Sequence, residues 1–272
     1  MSRLSIITSL VLYKHTLADI QTTLDSLIRT YSVHKIVLVD NGGCDWANQL
    51  DAPKIVYIKA DRNGGFGYGH NLAIHKYAHL SDFFLICNPD IDFDSEELKK
   101  LYEVAKSSPA GLYSPKIIYP DGTEQFGQRL LPTPLNLFAR RFLPQYFSKK
   151  LDDRYLLKTV TIDKPSPIPS VSGSFMLFRS ECLLALDGFD ERYFMYMEDV
   201  DLSRRCAERF GVLYVPSACI IHEHQQASYK NKALLKAHII SAIKYFNKWG
   251  WVFDKQRKKI NKETLAILKE TG

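Results

Sequence analysis

The chain has 272 residues, 46% of them hydrophobic and 24% charged, which is enough for one large globular domain or two fused halves. Its formal net charge of +6 is uneven, because eleven basic and three acidic residues from Lys230 onward carry +8 and leave −2 for the body. A near-neutral body argues against a nucleic-acid-binding protein and assigns any attraction to anionic surfaces to roughly the last forty residues.

The cysteines and the apolar segments favour the cytoplasm. The five cysteines are odd in number, scattered and mostly set in apolar runs, which is typical of reduced core thiols rather than of a disulfide framework. No segment reaches the roughly 18 apolar residues of a transmembrane helix. Residues 4–13 resemble a signal peptide but lack a small-residue cleavage site, so we interpret them as a first buried strand.

The first third of the chain alternates between strand and helix patterns. Apolar runs of strand length recur at residues 4–13, 35–40, 55–60 and 83–87. Helices with apolar residues on one face are predicted over 17–28 and 72–79. This alternation predicts an α/β fold with a Rossmann-like, mostly parallel central sheet flanked by helices, in which ligands bind at the carboxyl ends of the strands.

A glycine-rich loop follows the third apolar run. Gly65, Gly67 and Gly69 suggest a dinucleotide-binding fingerprint, but His70 occupies the place of its third glycine and the loop follows the third strand instead of the first. We therefore discount a dinucleotide site. Glycine still allows the backbone to approach a phosphate or a sugar closely.

The fourth apolar run ends in two acids, Asp90 and Asp92, after the turn signal Asn88-Pro89. In extended backbone, residues two apart point to the same side, so both carboxylates would face one hard cation. This spacing suggests a metal-diphosphate site. A solvated strand end is the alternative, and it accounts better for such a pair taken alone.

Residues 120–169 contain seven of the twelve prolines. We expect little regular structure here, and the segment is either a lid or substrate-binding loop or a plain surface connection.

Three acids, Glu198, Asp199 and Asp201, lie within four positions at the start of a predicted helix. The helix dipole and capping favour acids at such a place, and Asp201 and Arg205 have the spacing of an ion pair on a helix surface. The helix dipole and capping explain Glu198 and Asp199 less well. Large aromatic residues precede these two acids in the sequence and would shield their carboxylates from water. Desolvation there would raise the pKa of a carboxylate and make it suitable as a general base.

His222 ends the next strand pattern and is a candidate to join the carboxylates of the metal site. Taken alone, a histidine here is more often a hydrogen-bonded surface residue. A zinc site built from Cys219, His222 and His224 fits no strong zinc pattern.

The C-terminal region, residues 231–272, is predicted to be helical, basic and amphipathic. Its first helix, residues 232–249, carries one apolar stripe with lysines elsewhere. The stripe comprises Leu235, Ile239, Ala242, Phe246 and Trp249. It either packs on the chain's own domain or anchors the protein at a membrane, with aromatics at the interface and lysines on anionic headgroups.

Several motifs in one order resemble a known family. Over roughly residues 4–224 the chain is similar to the inverting nucleotide-sugar glycosyltransferases of glycosyltransferase family 2, and among them to the bacterial rhamnosyltransferase-like group. The matching motifs are Val39-Asp40-Asn41-Gly42, residues 63–71 (NGGFGYGHN), Asn88-Pro89-Asp90, Gly188-Phe189-Asp190-Glu191, residues 193–202 (YFMYMEDVDL) and His222. Together and in this order they are specific to the family.

The resemblance implies the GT-A fold and a nucleotide-sugar and metal site. Asp40 would read the pyrimidine base. Asp90 would bind the metal, Asp92 would be the second acid of a D-x-D motif, and His222 would be the distal ligand of the metal or the diphosphate. The other candidates for nucleotide-sugar binding are Tyr13, Asn41, Gly65, Gly67, Asn71 and Asn88.

The resemblance also implies that Asp199 is the general base, with Glu198 as its acidic neighbour. Displacement at an anomeric carbon needs a stabilised leaving diphosphate, which a divalent ion supplies as a Lewis acid. It also needs a base on the opposite face that takes the proton of the acceptor hydroxyl. Two separate carboxylate sites meet both needs, and Mg²⁺ or Mn²⁺ is the expected cofactor.

The expected activity is transfer of L-rhamnose from dTDP-rhamnose to a lipid-linked saccharide in the synthesis of bacterial O-antigen or capsule. Galactofuranose or another hexose is the alternative sugar, and a non-catalytic nucleotide-sugar-binding module is the alternative class. The expected partners are the donor, the lipid-linked acceptor and an anionic membrane surface, with a second copy of the chain as a further candidate and no nucleic acid.

The predicted organisation has two parts. Residues 1–230 would form the GT-A domain, with a nucleotide-sugar half (1–93) and an acceptor half (94–230), and residues 231–272 a basic helical region. We expect a cytoplasmic protein that lies peripherally on the inner face of the cytoplasmic membrane.

Overall fold

The structure, a computed structural model, describes residues 6–137, 145–223 and 232–271. The apolar runs of the first third form parallel strands in the spatial order β3-β2-β1-β4. These strands are β1 (Ile6–Leu12), β2 (Val33–Asp40), β3 (Ile55–Lys59) and β4 (Phe83–Cys87). Helix α1 (Leu17–Arg29) follows β1, and α2 (Phe66–Tyr77) precedes β4. The predicted parallel arrangement is confirmed for this part of the sheet.

The second part of the sheet is mixed, where the prediction had a mostly parallel sheet. Its strands are β5 (Ile91–Asp92), β6 (Leu112–Ile118), β7 (Ser166–Pro167), β8 (Phe175–Arg179) and β9 (Val212–His222). Strand β8 runs antiparallel to both β4 and β6, whereas β9 runs parallel to β6. Both β5 and β7 pair antiparallel with β9. The short β5 therefore brings the chain just after Asp90 against the end of β9.

Both faces of the sheet are buried. Alternate side chains of β1 point in opposite directions, so that Leu10 joins the core that includes Leu24 of α1, and Ile7 joins the core that includes Ile74 of α2. Strands covered on both faces are apolar at nearly every position, which is why they read as continuous apolar runs. Helix α3 (Ser95–Ser107) packs on the α1 side and begins at Asp94, whose carboxylate accepts a hydrogen bond from Glu96 N.

The proline-rich segment contains more regular structure than expected. Helix α4 (Gln145–Tyr155) and strand β7 lie within it. Leu130, Leu157 and Ile168 are buried in the same core as Leu268 near the C-terminal end of the chain. The described parts of this segment therefore contribute to the core.

The remaining helices are α5 (Ser180–Ala185), α6 (Glu198–Arg209), α7 (Lys232–Trp249) and α8 (Lys255–Thr271). On α7, Ala242, Tyr245 and Phe246 are buried, and the two aromatics pack with Tyr193 and Met197. The C-terminal helices therefore pack on the chain's own domain. The predicted boundary between residues 230 and 231 lies outside the described residues, and within them no helix is both long and apolar enough to span a bilayer.

Candidate active site

The carboxylate of Asp40 holds the loop that follows β2. Its Oδ1 accepts hydrogen bonds from Gly42 N (2.7 Å) and Cys44 N (3.1 Å), and its Oδ2 accepts one from the Tyr57 hydroxyl (2.9 Å). Burial and the Asp40 carboxylate both raise the pKa of Tyr57, so the phenol remains a donor. Tyr13, at the end of β1, lies against Gly42 and exposes 46% of its surface. An exposed aromatic ring therefore lies beside a rigid, acidic loop.

The glycine loop is fixed from behind by buried groups. Asn41 Nδ2 donates to Gly65 O (2.8 Å), and Phe66 N donates to Phe194 O (3.0 Å). Gly65 has φ +97°, and a Cβ there would clash with the carbonyl oxygen of Phe194. Gly67 lies so close to Phe189 that a Cβ would approach its side chain to 2.8 Å. These residues join the glycine loop to the aromatic segment that precedes α6.

Asn71 makes a second connection to that segment. Its Nδ2 donates to Phe189 O and to Glu191 Oε1 (2.9 Å each), and its Oδ1 accepts from Phe189 N (2.8 Å). The side chain is 2% exposed. The structure therefore uses the Asn71 amide to fasten the loop around Phe189.

Asp90 and His222 meet where β5 pairs with β9. Asp90 Oδ1 lies 3.2 Å from His222 Nε2. Gln125 Nε2 donates to the His222 carbonyl (3.0 Å), which turns the Gln125 Oε1 toward His222 Nδ1 at 2.8 Å. In the neutral ring this contact assigns the proton to Nδ1 and directs the lone pair of Nε2 toward Asp90. Asn88 contributes Nδ2 at 3.4 Å from the same Nε2.

Asp92 does not join this pair. The prediction assumed extended backbone from Asp90 to Asp92, but the chain turns at Pro89 and Asp90 before β5 begins. Asp92 Oδ1 accepts a hydrogen bond from Ser26 Oγ of α1 (3.2 Å). Among the described residues, no three His, Cys, Asp or Glu side chains are grouped closely enough to hold a metal.

The donor set around Asp90 nevertheless fits a divalent cation. It offers a carboxylate oxygen and an imidazole nitrogen 3.2 Å apart. The nearby Asn88 Oδ1 is buried and has no hydrogen-bond partner among the described residues. Mg²⁺ in proteins is usually bound through one or two carboxylates and completes its shell with water and substrate phosphates. A cation held by Asp90 and His222 would likewise need water or substrate oxygens as its other ligands.

Glu198 and Asp199 begin α6 after two residues with left-handed backbone, Tyr196 and Met197 (both φ +68°). Asp199 accepts hydrogen bonds from Gly173 N (3.1 Å) and Val200 N (2.8 Å). Glu198 is 6% exposed, and its Oε2 has no hydrogen-bond partner among the described residues. Burial, followed by the charge of Asp199, raises the pKa of Glu198 to about 8.

The segment before β8 brings the two acidic sites together. Gly173 N donates to Asp199, and the carbonyl of the next residue, Ser174, accepts from Asn88 N (2.8 Å). Asn88 in turn contacts His222. Asp199 and Asn88, which contacts His222, are therefore hydrogen-bonded to consecutive residues just before β8.

Sequence reasoning missed Gly173, Ser174 and Gln125. A Ser-Gly-Ser triplet before a strand was the only local signal for the first two, and Gln125 gave none. It also missed His15, whose pKa burial lowers against the opposing effects of the Asp19 and Asp90 charges. All four act through contacts distant in sequence.

Asp201 forms the predicted ion pair with Arg205 (Oδ2 to Nε, 2.8 Å), but the pair is not on a helix surface. Asp201 is fully buried, and it also binds Lys248 Nζ (2.7 Å) and Trp249 Nε1 (2.7 Å) of α7. The third acid of the cluster therefore attaches α6 to the C-terminal helices.

Comparison with known proteins adds sequence and fold relatives. A family model described as glycosyltransferase-like family 2 matches residues 12–239. The chain is 28% identical over 218 residues to N-acetylglucosaminyl-diphospho-decaprenol L-rhamnosyltransferase of Mycobacterium tuberculosis, which covers 75% of this chain and 71% of the relative. It is 28% identical over 192 residues to rhamnosyltransferase WbbL of Escherichia coli, covering 66% and 69%. The solved structure of GalNAc-T7 with UDP, GalNAc and Mn²⁺ matches with a TM-score of 0.61 at 14% identity, over 80% of this chain and 43% of that one.

Proposed function

This chain belongs to glycosyltransferase-like family 2, and from that premise we propose that it transfers a hexose from a nucleoside diphosphate to a lipid-linked saccharide with inversion at the anomeric carbon. The GT-A type of α/β fold and the assignment as a glycosyltransferase, both expected from the sequence, are confirmed. The proposed donor is dTDP-rhamnose, and the proposed pathway is bacterial surface polysaccharide synthesis. Two relatives are named rhamnosyltransferases, and one name includes a diphospho-decaprenol, which supports both the sugar and a lipid-linked acceptor.

One observation carries the proposal. Consecutive residues, Gly173 and Ser174, bind Asp199 on one side and Asn88, next to the Asp90–His222 pair, on the other. Inverting transfer needs a cation site for the leaving diphosphate and a base on the opposite face of the sugar. A single backbone segment that is bonded to Asp199 and to Asn88 supports this arrangement of the two groups.

Asp90 and His222 are the proposed protein ligands of Mg²⁺ or Mn²⁺, and Asp92 remains outside the site. When bound, the cation neutralises charge that develops on the leaving diphosphate. His222 is oriented by Gln125, so its Nε2 is held in position without donor or metal. The solved structure of GalNAc-T7 contains UDP and Mn²⁺, which supports a nucleotide and a divalent cation as ligands of this fold.

Asp199 is the proposed base. The acceptor hydroxyl oxygen forms a bond to the anomeric carbon while the bond from that carbon to the diphosphate oxygen breaks, and Asp199 receives the hydroxyl proton. Glu198 supports this role because its raised pKa of about 8 keeps it protonated at neutral pH. The adjacent acid therefore adds no second negative charge, and two backbone N–H groups hold the Asp199 carboxylate in place.

The nucleotide would lie across the ends of β1 and β2. Tyr13 offers an exposed ring for the base, and Asp40 presents a carboxylate whose position is fixed by three donors. In this proposal Asn41, Gly65, Gly67 and Asn71 act from behind the site. They set the shape of the glycine loop through buried contacts.

The proposed location is the inner face of the cytoplasmic membrane. The balance of eleven basic residues against three acids from Lys230 onward supports attraction to anionic lipid. A lipid-linked acceptor would be presented at that surface.

Thermal unfolding with a panel of nucleotide sugars tests donor and metal together. We expect dTDP-rhamnose with Mg²⁺ or Mn²⁺ to raise the Tm most, because a ligand at 100 times its Kd adds about 2.7 kcal/mol to stability. Asp90→Asn should abolish the metal-dependent part, and Asp92→Asn, as the matched control, should keep it. A larger shift with UDP-galactofuranose would assign that donor instead, and the absence of any shift would contradict the proposal.

A further inference from the structure

The outward face of α7 is apolar, although its predicted apolar stripe is largely used inside the protein. Ile239, Ile240 and Ile243 expose 39%, 41% and 40% of their surfaces. Ile239 and Ile243 lie next to the buried Ala242 and Phe246 on the helix surface, three residues away from them, and Ile240 lies farther round the helix. The apolar face of this helix is therefore wider than the part that packs against the chain's own domain.

The turn between α7 and α8 extends this apolar face. Trp251 is 39% exposed, Val252 66% and Phe253 91%. Trp251 Nε1 donates to Asn247 Oδ1 (2.8 Å). Because Asn247 lies one helical turn after Ile243, this bond places the Trp251 ring on the same side of α7 as Ile243. The exposed residues define one strip, called here the α7 tip surface: Ile239, Ile240, Ile243, Trp251, Val252 and Phe253.

Basic residues border the α7 tip surface. Helix α7 contains four lysines and no acid, and the first eight residues of α8 contain five basic residues and no acid. Lys255 and Lys258 are exposed and line an open cavity together with Phe253 and Trp249. Aromatic and aliphatic side chains surrounded by lysines match the boundary between acyl chains and anionic headgroups.

The opposite side of α7 touches the segment that leads into the acidic pair. Ser241 Oγ donates to Met195 O (2.8 Å), and the His238 ring lies 5.0 Å from the Tyr196 ring. A bilayer on the outward side would thus lie about one helix diameter, roughly 10 Å, from the residues just before Glu198.

We propose that the α7 tip surface docks onto an anionic lipid bilayer, with Val252 and Phe253 inserted between the lipids and Lys255 and Lys258 at the headgroups. The surface deepens the proposed function because it would present a lipid-linked acceptor beside α6. Binding to vesicles needs neither donor nor acceptor, so the surface and the reaction are tested separately.

Co-sedimentation of the full chain with phosphatidylcholine vesicles containing about 30% phosphatidylglycerol tests the proposal. Val252→Ser/Phe253→Ser and Lys255→Glu/Lys258→Glu should each weaken partitioning by about tenfold or more. Matched controls elsewhere on the surface, Leu80→Ser and Lys99→Glu/Lys106→Glu, should bind like the wild type. Quenching of tryptophan fluorescence by brominated lipid should weaken in Trp251→Phe and remain unchanged in Trp46→Phe.

Three results would overturn the proposal: the wild type does not bind anionic vesicles, the tip variants bind as well as the wild type, or the tip and control variants lose the same amount of binding. If Val252→Ser/Phe253→Ser dissociates a dimer in ultracentrifugation but leaves vesicle binding unchanged, the surface is a contact between copies of the chain. Unchanged Tm values for all variants ensure that lost binding is not lost folding.

Discussion

Adjacent acids at the start of α6 acquire different properties from their surroundings. Asp199 is held by two backbone N–H donors, whereas Glu198 is buried beside the Asp199 charge and has a pKa raised to about 8. The folded state therefore keeps a proton on Glu198 at pH values where the unfolded chain has lost it. The free energy of unfolding must then fall as pH rises from about 4.5 to about 8, because the folded state binds more protons in that window.

Glu198→Gln should remove this pH dependence. The amide mimics the protonated acid, so the variant should gain stability over the wild type as pH rises, by about 1 to 3 kcal/mol at pH 8 relative to pH 5. Urea denaturation at both pH values measures the difference. Parallel stability curves for the two proteins would show that Glu198 is ionised in the fold.

Gly65→Ala should destabilise the protein because two effects combine at this position. The backbone is left-handed, with φ +97°, and the new Cβ would clash with the Phe194 carbonyl oxygen. We expect a loss of about 2 to 4 kcal/mol in the free energy of unfolding. Gly122→Ala is the matched control, since φ is +83° but no atom lies within 4 Å, and it should lose only about 1 kcal/mol. Equal losses would mean that backbone strain, and not contact with Phe194, makes Gly65 necessary.

At the residue scale, the motif order located most of the acidic groups but not their neighbours. The motifs identified Asp90, His222 and Asp199 as candidate site residues. Each of them lies at the end of a strand or helix or next to one. The structure does not bring Asp92 to the Asp90–His222 pair, because a turn at Pro89 and Asp90 interrupts the two-residue alternation on which its assignment depended. Gln125, which orients His222, was unpredictable because its partner lies 97 residues away.

At the scale of elements, α6 is attached to the C-terminal helices through buried charges. Arg204 is 1% exposed and binds both carboxylate oxygens of Asp254 (2.7 and 3.0 Å), while its guanidinium lies 4.0 Å from the centre of the Trp249 ring. Asp201 binds Lys248 and Trp249. The helix that begins with the proposed base therefore depends on α7 and α8 for its position. Truncating these helices would expose core residues, so point variants are the appropriate probes of the C-terminal region.

Arg204→Met should lower the free energy of unfolding by about 3 to 5 kcal/mol, because it leaves the Asp254 carboxylate buried without its cation. Arg192→Met is the control: Arg192 also pairs with an aspartate, Asp190, but its side chain is 67% exposed, and the expected loss is below about 1 kcal/mol. Urea denaturation compares the two. Similar losses would mean that the buried pair does not secure α6.

The amphipathic pattern predicted helix α7, but it did not predict which of the apolar residues of this helix are buried and which are exposed. Ala242 and Phe246 belong to the predicted stripe and are buried, whereas Ile239 of the same stripe is 39% exposed. Ile240 and Ile243 widen the apolar face beyond the predicted stripe. A helix with so wide an apolar face does not reveal from its own sequence which part of it packs on the domain.

At the scale of the whole molecule, alternation of strands and helices predicted the parallel half of the sheet, since each β-helix-β unit is local in sequence. The mixed half was not predictable in the same way. Strand β8 inserts between β4 and β6, and the two-residue β5 pairs with the end of β9 about 130 residues later. These distant pairings form the candidate site, because they bring Asp90 to His222 and the Gly173–Ser174 segment to Asn88.

The transfer reaction itself tests the central claim most directly. The donor that stabilises the chain most is incubated with a lipid-linked saccharide acceptor and Mn²⁺, and NMR determines the anomeric configuration of the product. We predict inversion, no product after chelation of the metal, and turnover by Asp199→Asn that is about 10² to 10⁴ times slower although the donor still raises its Tm. A product of retained configuration, or wild-type turnover by Asp199→Asn, would contradict the account.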